Sequence, residues 1–153
     1  MDDLRALYQQ VILDHSRNPR HFGKKEDAQV IQACLNPLCG DEITIYCDID
    51  EQHIIQSLHF TGKGCAISVA SASIMVAMMQ NKPLSYFQQS LNTMHYLLGT
   101  HDGGERLSDV AALAKLEVLA GVKQFPSRVK CATCAWHTLA AITKGEHETV
   151  KTE

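Results

Sequence analysis

Residues 42–61, which read EITIYCDIDEQHIIQSLHFT, decide the fold of this chain. Apolar and polar side chains alternate from Glu42 to Ile49 and again from His53 to Thr61, with the short link DEQ at 50–52 between them. A two-residue period is typical of a strand with one buried face and one solvated face, and a short link favours antiparallel pairing. The apolar faces comprise Ile43, Ile45, Cys47 and Ile49 in the first strand and Ile54, Leu58 and Phe60 in the second.

The flanking sequence extends this hairpin into an α+β domain. Residues 28–35 form a third strand-like run, which the loop NPLCGD (36–41) joins to the hairpin, so we expect a three-stranded antiparallel sheet. Helical patterns surround the sheet, and strands followed by helices favour the α+β class, with about five helices. The predicted helices are Leu4–His15, Ala66–Gln80, Pro83–Leu98, Ser108–Leu119 and Cys131–Lys144. We expect a single domain over residues 1–145 and a flexible tail over residues 146–153.

Composition excludes several classes of function. The 153 residues are 45% hydrophobic and 20% charged, with a formal net charge of −3 and no basic block, which argues against nucleic acid or an anionic membrane as a partner. The longest apolar run, Ala66 to Met79, is too short to span a bilayer. The acidic start MDDLRALYQQ has no signal-peptide pattern, so we expect a cytoplasmic protein. Six cysteines in a reducing compartment favour metal binding or catalysis over crosslinks.

Three of these cysteines occupy positions that favour a thiolate. Cys39 lies in the loop between two strands, Cys65 precedes the central helix, and Cys131 begins the last predicted helix. Backbone N–H groups and the helix dipole at such positions stabilise negative charge. With Asp41 from the same loop as Cys39, the three thiolates would complete a tetrahedral zinc shell. Spacing alone leaves this site undecided, because the chain has no pair of adjacent CxxC knuckles.

Four stretches carry a family resemblance. VILDHSRNPR (11–20), NPLCGD (36–41), GKGCAISVASAS (62–73) and FPSRVKCATCAWH (125–137) resemble the signature blocks of the SufU-type proteins within the IscU/NifU-like iron–sulfur assembly family. The blocks occur in the family's order along nearly the whole chain. The resemblance implies a compact α+β domain with a three-stranded antiparallel sheet.

The resemblance also implies the metal ligands Cys39, Asp41, Cys65 and Cys131. In the IscU branch a histidine precedes the last cysteine, whereas this chain has Lys130, and it carries a long segment before FPSRVKC, roughly residues 103–127. Both features resemble the zinc-dependent SufU branch. The implied cofactor is therefore Zn²⁺, with a [2Fe–2S] cluster as the alternative.

The function that the resemblance implies is sulfur transfer. A pyridoxal-phosphate cysteine desulfurase of the SufS type would form a persulfide, and Cys39 would accept its terminal sulfur for delivery to iron–sulfur assembly scaffold proteins. Cys39 is the candidate catalytic residue, since its loop is flanked by Gly40 and the other two cysteines adjoin helices. Two alternatives stay open: a scaffold that builds a transient [2Fe–2S] cluster on the same four residues, and a purely structural zinc module.

The remaining cysteines and one histidine leave further alternatives. Cys34 and Cys47 fall in strand runs and are expected to be small core residues. Cys134 stands where the family has leucine, so it is an additional candidate ligand, and with Cys131 it forms a CxxC that can act as a redox pair. His137 follows two helical turns after Cys131 and is expected to pack or to orient a ligand, with direct ligation as the alternative.

Overall fold

The computed structural model describes residues 2–36, 40–100, 103–145 and 150–151. Within them, five helices surround one sheet, which confirms the predicted α+β class and the antiparallel arrangement of the three main strands. The elements in chain order are α1 (Asp2–Arg17), β1 (Val30–Asn36), β2 (Asp41–Ile49), β3 (Ile55–Lys63), α2 (Ala66–Met79), α3 (Leu84–Leu98), α4 (Val110–Ala120), α5 (Pro126–Thr143) and β4 (Val150–Lys151).

The sheet has the strand order β3-β2-β1-β4. β2 pairs with both β1 and β3 in antiparallel fashion, as the alternating sequence predicts. The register shifts between Asp48 and Ile49, and because of this irregularity Ile55, rather than the predicted Ile54, is fully buried at the start of β3. β4 adds a short parallel pairing with β1 inside the segment 146–153, for which we expected a flexible tail; Val150 and Lys151 are the residues of that segment that the structure describes.

Both edges of the sheet have hydrogen-bonded neighbours. On the β1 side the neighbour is β4. On the β3 side, the backbone of Phe60 bonds to His21 and Gly23, while that of Ile55 bonds to Asn81 and Lys82. The side-chain amide of Gln80 bonds both backbone groups of Leu58 between them.

Helix α2 lies at the centre of the core. It is apolar on nearly all sides, contains ten buried residues, and packs against α1, α5 and β3. Helix α5 packs against α2 and also against β1 and β2. Trp136 of α5 and Phe87 of α3 stack inside this core with their ring centroids 6.1 Å apart. The result is that the N-terminal part of α5 lies beside the end of β1 and the start of β2.

Two helix starts differ from the sequence predictions. α5 begins at Pro126, five residues before the predicted start at Cys131, because Pro126 occupies the first turn, where its missing N–H is not needed, instead of breaking the chain. α4 begins after Asp109, whose carboxylate accepts a hydrogen bond from the N–H of Ala111 at 3.1 Å, so Asp109 and not Ser108 is the cap. Within the described residues, no helix is long and apolar enough to cross a bilayer.

Candidate metal centre

Asp41 is the first residue of β2 and is almost completely buried, with 1% of its surface exposed. It is the register partner of Asn36, the last residue of β1, so the two residues close the hairpin whose loop contains Cys39. Each carboxylate oxygen accepts one hydrogen bond. Oδ1 accepts from the backbone N–H of Cys65 at 2.9 Å, and Oδ2 accepts from the side-chain amide of Asn36 at 3.1 Å.

Cys65 is the N-cap residue of α2, as the sequence predicts. Its backbone is extended, with φ −68° and ψ 164°, and its side chain makes no capping hydrogen bond, so the sulfur is not used to satisfy the helix end. The side chain is half-buried. Cys65 thus lies at the N-terminal end of α2, where the N–H groups of the first turn have no intrahelical partner.

Cys131 lies in the same cluster, but its position within its helix differs from the one that the sequence predicted. It is the sixth residue of α5 and not its first, so the argument that a helix N-terminus stabilises its thiolate is wrong for this residue. Cys131 is fully buried. Its Sγ accepts a hydrogen bond from Nδ2 of Asn36 at 3.5 Å.

The ligand atoms of Asp41, Cys65 and Cys131 all lie within 4.8 Å of one another. A tetrahedral zinc ion, with bonds of about 2.3 Å to sulfur and about 2.1 Å to oxygen, places its ligand atoms roughly 3.3–3.8 Å apart, so contractions of about 1 Å would bring these three atoms to that spacing. The three residues come from the start of β2, the cap of α2 and the second turn of α5.

The charge balance of the cluster fits a cation. A buried carboxylate needs a paired charge, and the ion pairs among the described residues involve Asp14, Asp27 and Asp48 but not Asp41. The partners of Asp41 are two neutral N–H donors. A divalent cation would offset two of the three negative charges that Asp41 and two neighbouring thiolates carry, and a donor set of two sulfurs and one oxygen suits zinc.

Cys39, the predicted fourth ligand and sulfur acceptor, lies outside the described residues. The structure therefore brings together three of the four predicted ligands, and the assignment of Cys39 stays a prediction. Sequence reasoning missed Asn36, which contacts two of the three. A signal was present, because Asn36 begins the NPLCGD block and is the last strand residue before the loop.

Cys34 and Cys134 form a disulfide that the sequence analysis did not predict. It links β1 to α5 across a sequence separation of 100 residues, with the two Cα atoms 6.1 Å apart. Cys34 is buried as expected, but it is crosslinked rather than a simple core thiol. In this state Cys134 is neither a metal ligand nor the redox partner of Cys131. Cys47 is the core thiol that was expected, and burial beside Asp48 raises its pKa to about 12.

His137 contacts another histidine instead of the cluster. Its Nε2 lies 3.3 Å from Nε2 of His95, and the two rings are nearly parallel, so one nitrogen donates and the other accepts. Burial lowers the pKa of His137, and the nearby His95 and Lys144 lower it further. The His137 ring is thus held in its neutral form, in contact with α3.

Comparisons with known proteins agree with this architecture. A zinc-dependent sulfurtransferase SufU of Bacillus subtilis (strain 168) is 37% identical over 137 residues, which cover 90% of this chain and 89% of that protein. An iron–sulfur cluster assembly scaffold protein IscU of Streptococcus pyogenes serotype M1 is 33% identical over 94% of this chain and 87% of its own length.

A solved structure and a family model complete the comparison. The structure is that of a protein from Fervidobacterium islandicum AW-1, named as a candidate scaffold for the SUF system; it is 32% identical, with a TM-score of 0.72 over 86% of this chain and 92% of its own. The model of the NifU-like N-terminal domain matches residues 7–132, a range that contains Asp41, Cys65 and Cys131. The chain described here belongs to the family of NifU-like N-terminal domains.

Proposed function

We propose that this protein is a zinc-dependent sulfur carrier that accepts persulfide sulfur from a pyridoxal-phosphate cysteine desulfurase and delivers it to iron–sulfur cluster assembly. The observation that carries the proposal is the convergence of Asp41, Cys65 and Cys131, in which a buried carboxylate lies beside two sulfurs and has no ion pair with a cationic side chain of the described residues. The SufU name of the 37% identical Bacillus relative supports zinc and sulfur transfer.

Zinc would be held by Asp41, Cys65, Cys131 and the loop residue Cys39. When bound, it favours the deprotonated form of its cysteine ligands and has no redox chemistry of its own. Cys65 and Cys131 lie at a helix cap and inside a helix, where the backbone fixes them. Cys39 belongs to the loop between β1 and β2, so it is the residue that we assign to sulfur transfer.

The transfer step is a thiol–persulfide exchange. The thiolate of Cys39 attacks the terminal sulfur of the desulfurase persulfide, forming a new S–S bond to that sulfur. The S–S bond of the donor breaks, and the desulfurase cysteine leaves with the bonding electrons as a thiolate. The terminal sulfur keeps its proton and becomes a persulfide on Cys39. No net oxidation occurs, and a second exchange passes the sulfur to an acceptor.

The test measures turnover of a partner desulfurase with and without this protein, and locates the added sulfur by mass spectrometry. We expect faster turnover and one extra sulfur on Cys39. A Cys39→Ser variant should lose both effects, while Cys47→Ala should keep them, since Cys47 is a core thiol away from the cluster. A Cys39→Ser variant that still accelerates the desulfurase and accepts sulfur would refute the assignment.

A scaffold for a [2Fe–2S] cluster is the second candidate, because two thiolates and a carboxylate also suit iron and the Streptococcus relative carries the scaffold name. Lys130, in place of a histidine before Cys131, favours the zinc carrier. Metal analysis of protein purified without added iron separates the two. Colourless protein with one zinc per chain supports the carrier, and brown protein that contains sulfide supports the scaffold.

A further inference from the structure

The side-chain amide of Asn36 connects two of the candidate ligands. Its Nδ2 lies 3.1 Å from Oδ2 of Asp41 and 3.5 Å from Sγ of Cys131, so each of its two hydrogens has an acceptor on a different element. The orientation of the amide follows from chemistry: a carboxylate only accepts hydrogen bonds, so the amide nitrogen and not its oxygen faces Asp41.

Asn36 is itself fully buried, which is costly for an amide unless it is hydrogen-bonded. Its Oδ1 has no hydrogen-bond partner among the described residues, so both hydrogen bonds that its side chain makes there go to candidate ligands. A leucine would fill a similar volume without leaving a buried oxygen unpaired. The residue is therefore poorly explained by core packing and well explained by the two ligands that it contacts.

The position of Asn36 in the β1–β2 hairpin is a second reason to assign it a role at the metal site. Asn36 and Asp41 are paired across the end of the β1–β2 ladder, with Cys39 in the loop between them. The hydrogen bond to Cys131 ties this end of the hairpin to α5, and Asp41 is tied to the cap of α2 through the N–H of Cys65. Asp41, Cys65 and Cys131 are thus connected by hydrogen bonds that do not involve Cys39.

We propose that Asn36 is a positioning residue that keeps Asp41 and Cys131 in ligand geometry, so that the metal stays bound by three residues while Cys39 carries sulfur. This inference rests on the proposed function, because sulfur transfer requires Cys39 to leave the ion. When Cys39 has left the ion, metal binding by this chain depends on how firmly Asp41, Cys65 and Cys131 are held in place. In other metal sites, the removal of a residue that hydrogen-bonds to a metal ligand typically lowers metal affinity by about 10–100-fold.

The experiment compares zinc affinity, by competition with a chelator, in the full chain and in a Cys39→Ala background. We expect Asn36→Leu to lower the affinity about 10–100-fold in the Cys39→Ala background, and less in the parent, where the fourth ligand compensates. The matched control is Gln32→Leu. Gln32 is another buried amide on the same face of β1, four residues earlier, and it makes no hydrogen bond to Asp41, Cys65 or Cys131.

A spectroscopic readout distinguishes positioning from general destabilisation. In the Co²⁺-substituted protein, Asn36→Leu should shift the absorption of the tetrahedral ion, whereas Gln32→Leu should leave it unchanged. If Asn36→Leu fails to fold, Asn36→Ser removes the same two donors with a smaller side chain and is measured in its place.

The outcomes for this inference and for the proposed function are separate. If the Asn36 variants bind zinc as tightly as their parents and keep the parent Co²⁺ spectrum, the role of Asn36 is refuted, and sulfur transfer to Cys39 is untouched. If the parent binds zinc but Cys39 never acquires sulfur, the proposed function fails while the affinity data still report on Asn36. A parent chain that binds no zinc overturns both.

Discussion

Gly64 and Asp41 are in such close contact that a side chain on Gly64 would collide with the carboxylate. A Cβ atom added to Gly64 would lie 2.3 Å from Oδ1 of Asp41 and 3.0 Å from its Cγ. The glycine therefore lets the end of β3 pass directly over Asp41 and lets the N–H of the next residue, Cys65, reach the same oxygen. Asp41 can keep this position because residue 64 is a glycine, which has only a hydrogen atom as its side chain.

We predict that Gly64→Ala lowers zinc affinity by about 10–100-fold, because the added methyl group displaces the Asp41 carboxylate from the cluster. The measurement is chelator competition. Gly121→Ala is the control, since Gly121 is exposed and has φ −58°, a conformation that alanine adopts readily. Unchanged affinity in Gly64→Ala would mean that Asp41 is not a ligand or that it relocates without cost.

The Cys34–Cys134 disulfide should stabilise the fold. It closes a loop of 100 residues between β1 and α5, and removing such a crosslink typically costs about 2–4 kcal/mol. The paired variant Cys34→Ala with Cys134→Ala should show this loss in the free energy of unfolding in urea. Mass spectrometry of the intact parent chain checks directly that two hydrogens are missing.

Reductant provides the control for that prediction. Both cysteines are fully buried, so we expect a thiol reductant to act on the parent only when denaturant opens the core, and to leave the stability of the alanine pair unchanged. An alanine pair that is as stable as the oxidised parent would contradict the predicted contribution. Burial of both cysteines also shields this crosslink, which the sequence did not predict, from thiol reductants.

Ser71 should be a stability hot spot in the core between α2 and α5. Its hydroxyl accepts a hydrogen bond from Nε1 of Trp136 at 3.0 Å and donates one to the carbonyl of Ala132 at 2.5 Å. Ser71→Ala leaves a buried indole N–H without its acceptor, which we expect to cost about 1–3 kcal/mol in the free energy of unfolding. Ser16→Ala, at a half-buried site in α1 where the hydroxyl donates to the carbonyl of Leu13 in the same helix, should change it little; equal effects would refute the interpretation.

Stability should fall as the pH drops below about 6.5. Burial lowers the pKa of His137 and of His15 below the ordinary value of 6.5, so the unfolded chain binds protons more readily than the folded one in that window. The free energy of unfolding therefore rises with pH until the unfolded histidines are neutral. We expect a shallower pH dependence in His137→Gln, and a still shallower one when His15→Gln is added; parallel curves would contradict this.

The sheet and the central helix could be predicted because local patterns of apolar residues indicate which of their side chains are buried. Alternation in residues 42–61 determines which side chains face the core, and uninterrupted apolar character marks α2 as central. The start of α5 could not be placed from pattern alone, because proline both breaks helices and begins them. Only the packing of α5 against β1 and β2 distinguishes the two cases for Pro126.

Three residues of the candidate site could be named from the sequence, but not from local burial patterns. Asp41, Cys65 and Cys131 were named from their loop and helix-end positions together with the family resemblance, since nothing in their spacing requires residues so far apart in sequence to converge. The disulfide was missed because it depends on the approach of α5 to β1, a long-range contact without a local signal, and the bond from Asn36 to Cys131 depends on the same approach. The inward face of β1 places Gln32, Cys34 and Asn36 in a row toward α5, and this becomes visible only once the two elements are packed.

The covered sheet edges have a consequence for how this protein associates with others. Open strand edges allow another chain to add a strand, which is a common route to aggregation and to peptide capture. Here the two-residue strand β4 pairs with Cys34 and Leu35 of β1, while residues 21–23 and 80–82 bond the backbone of β3 on the other side. Along β3, a second polypeptide is therefore expected to bind through side-chain surfaces rather than by strand addition, and this edge should resist edge-to-edge polymerisation when the protein is concentrated.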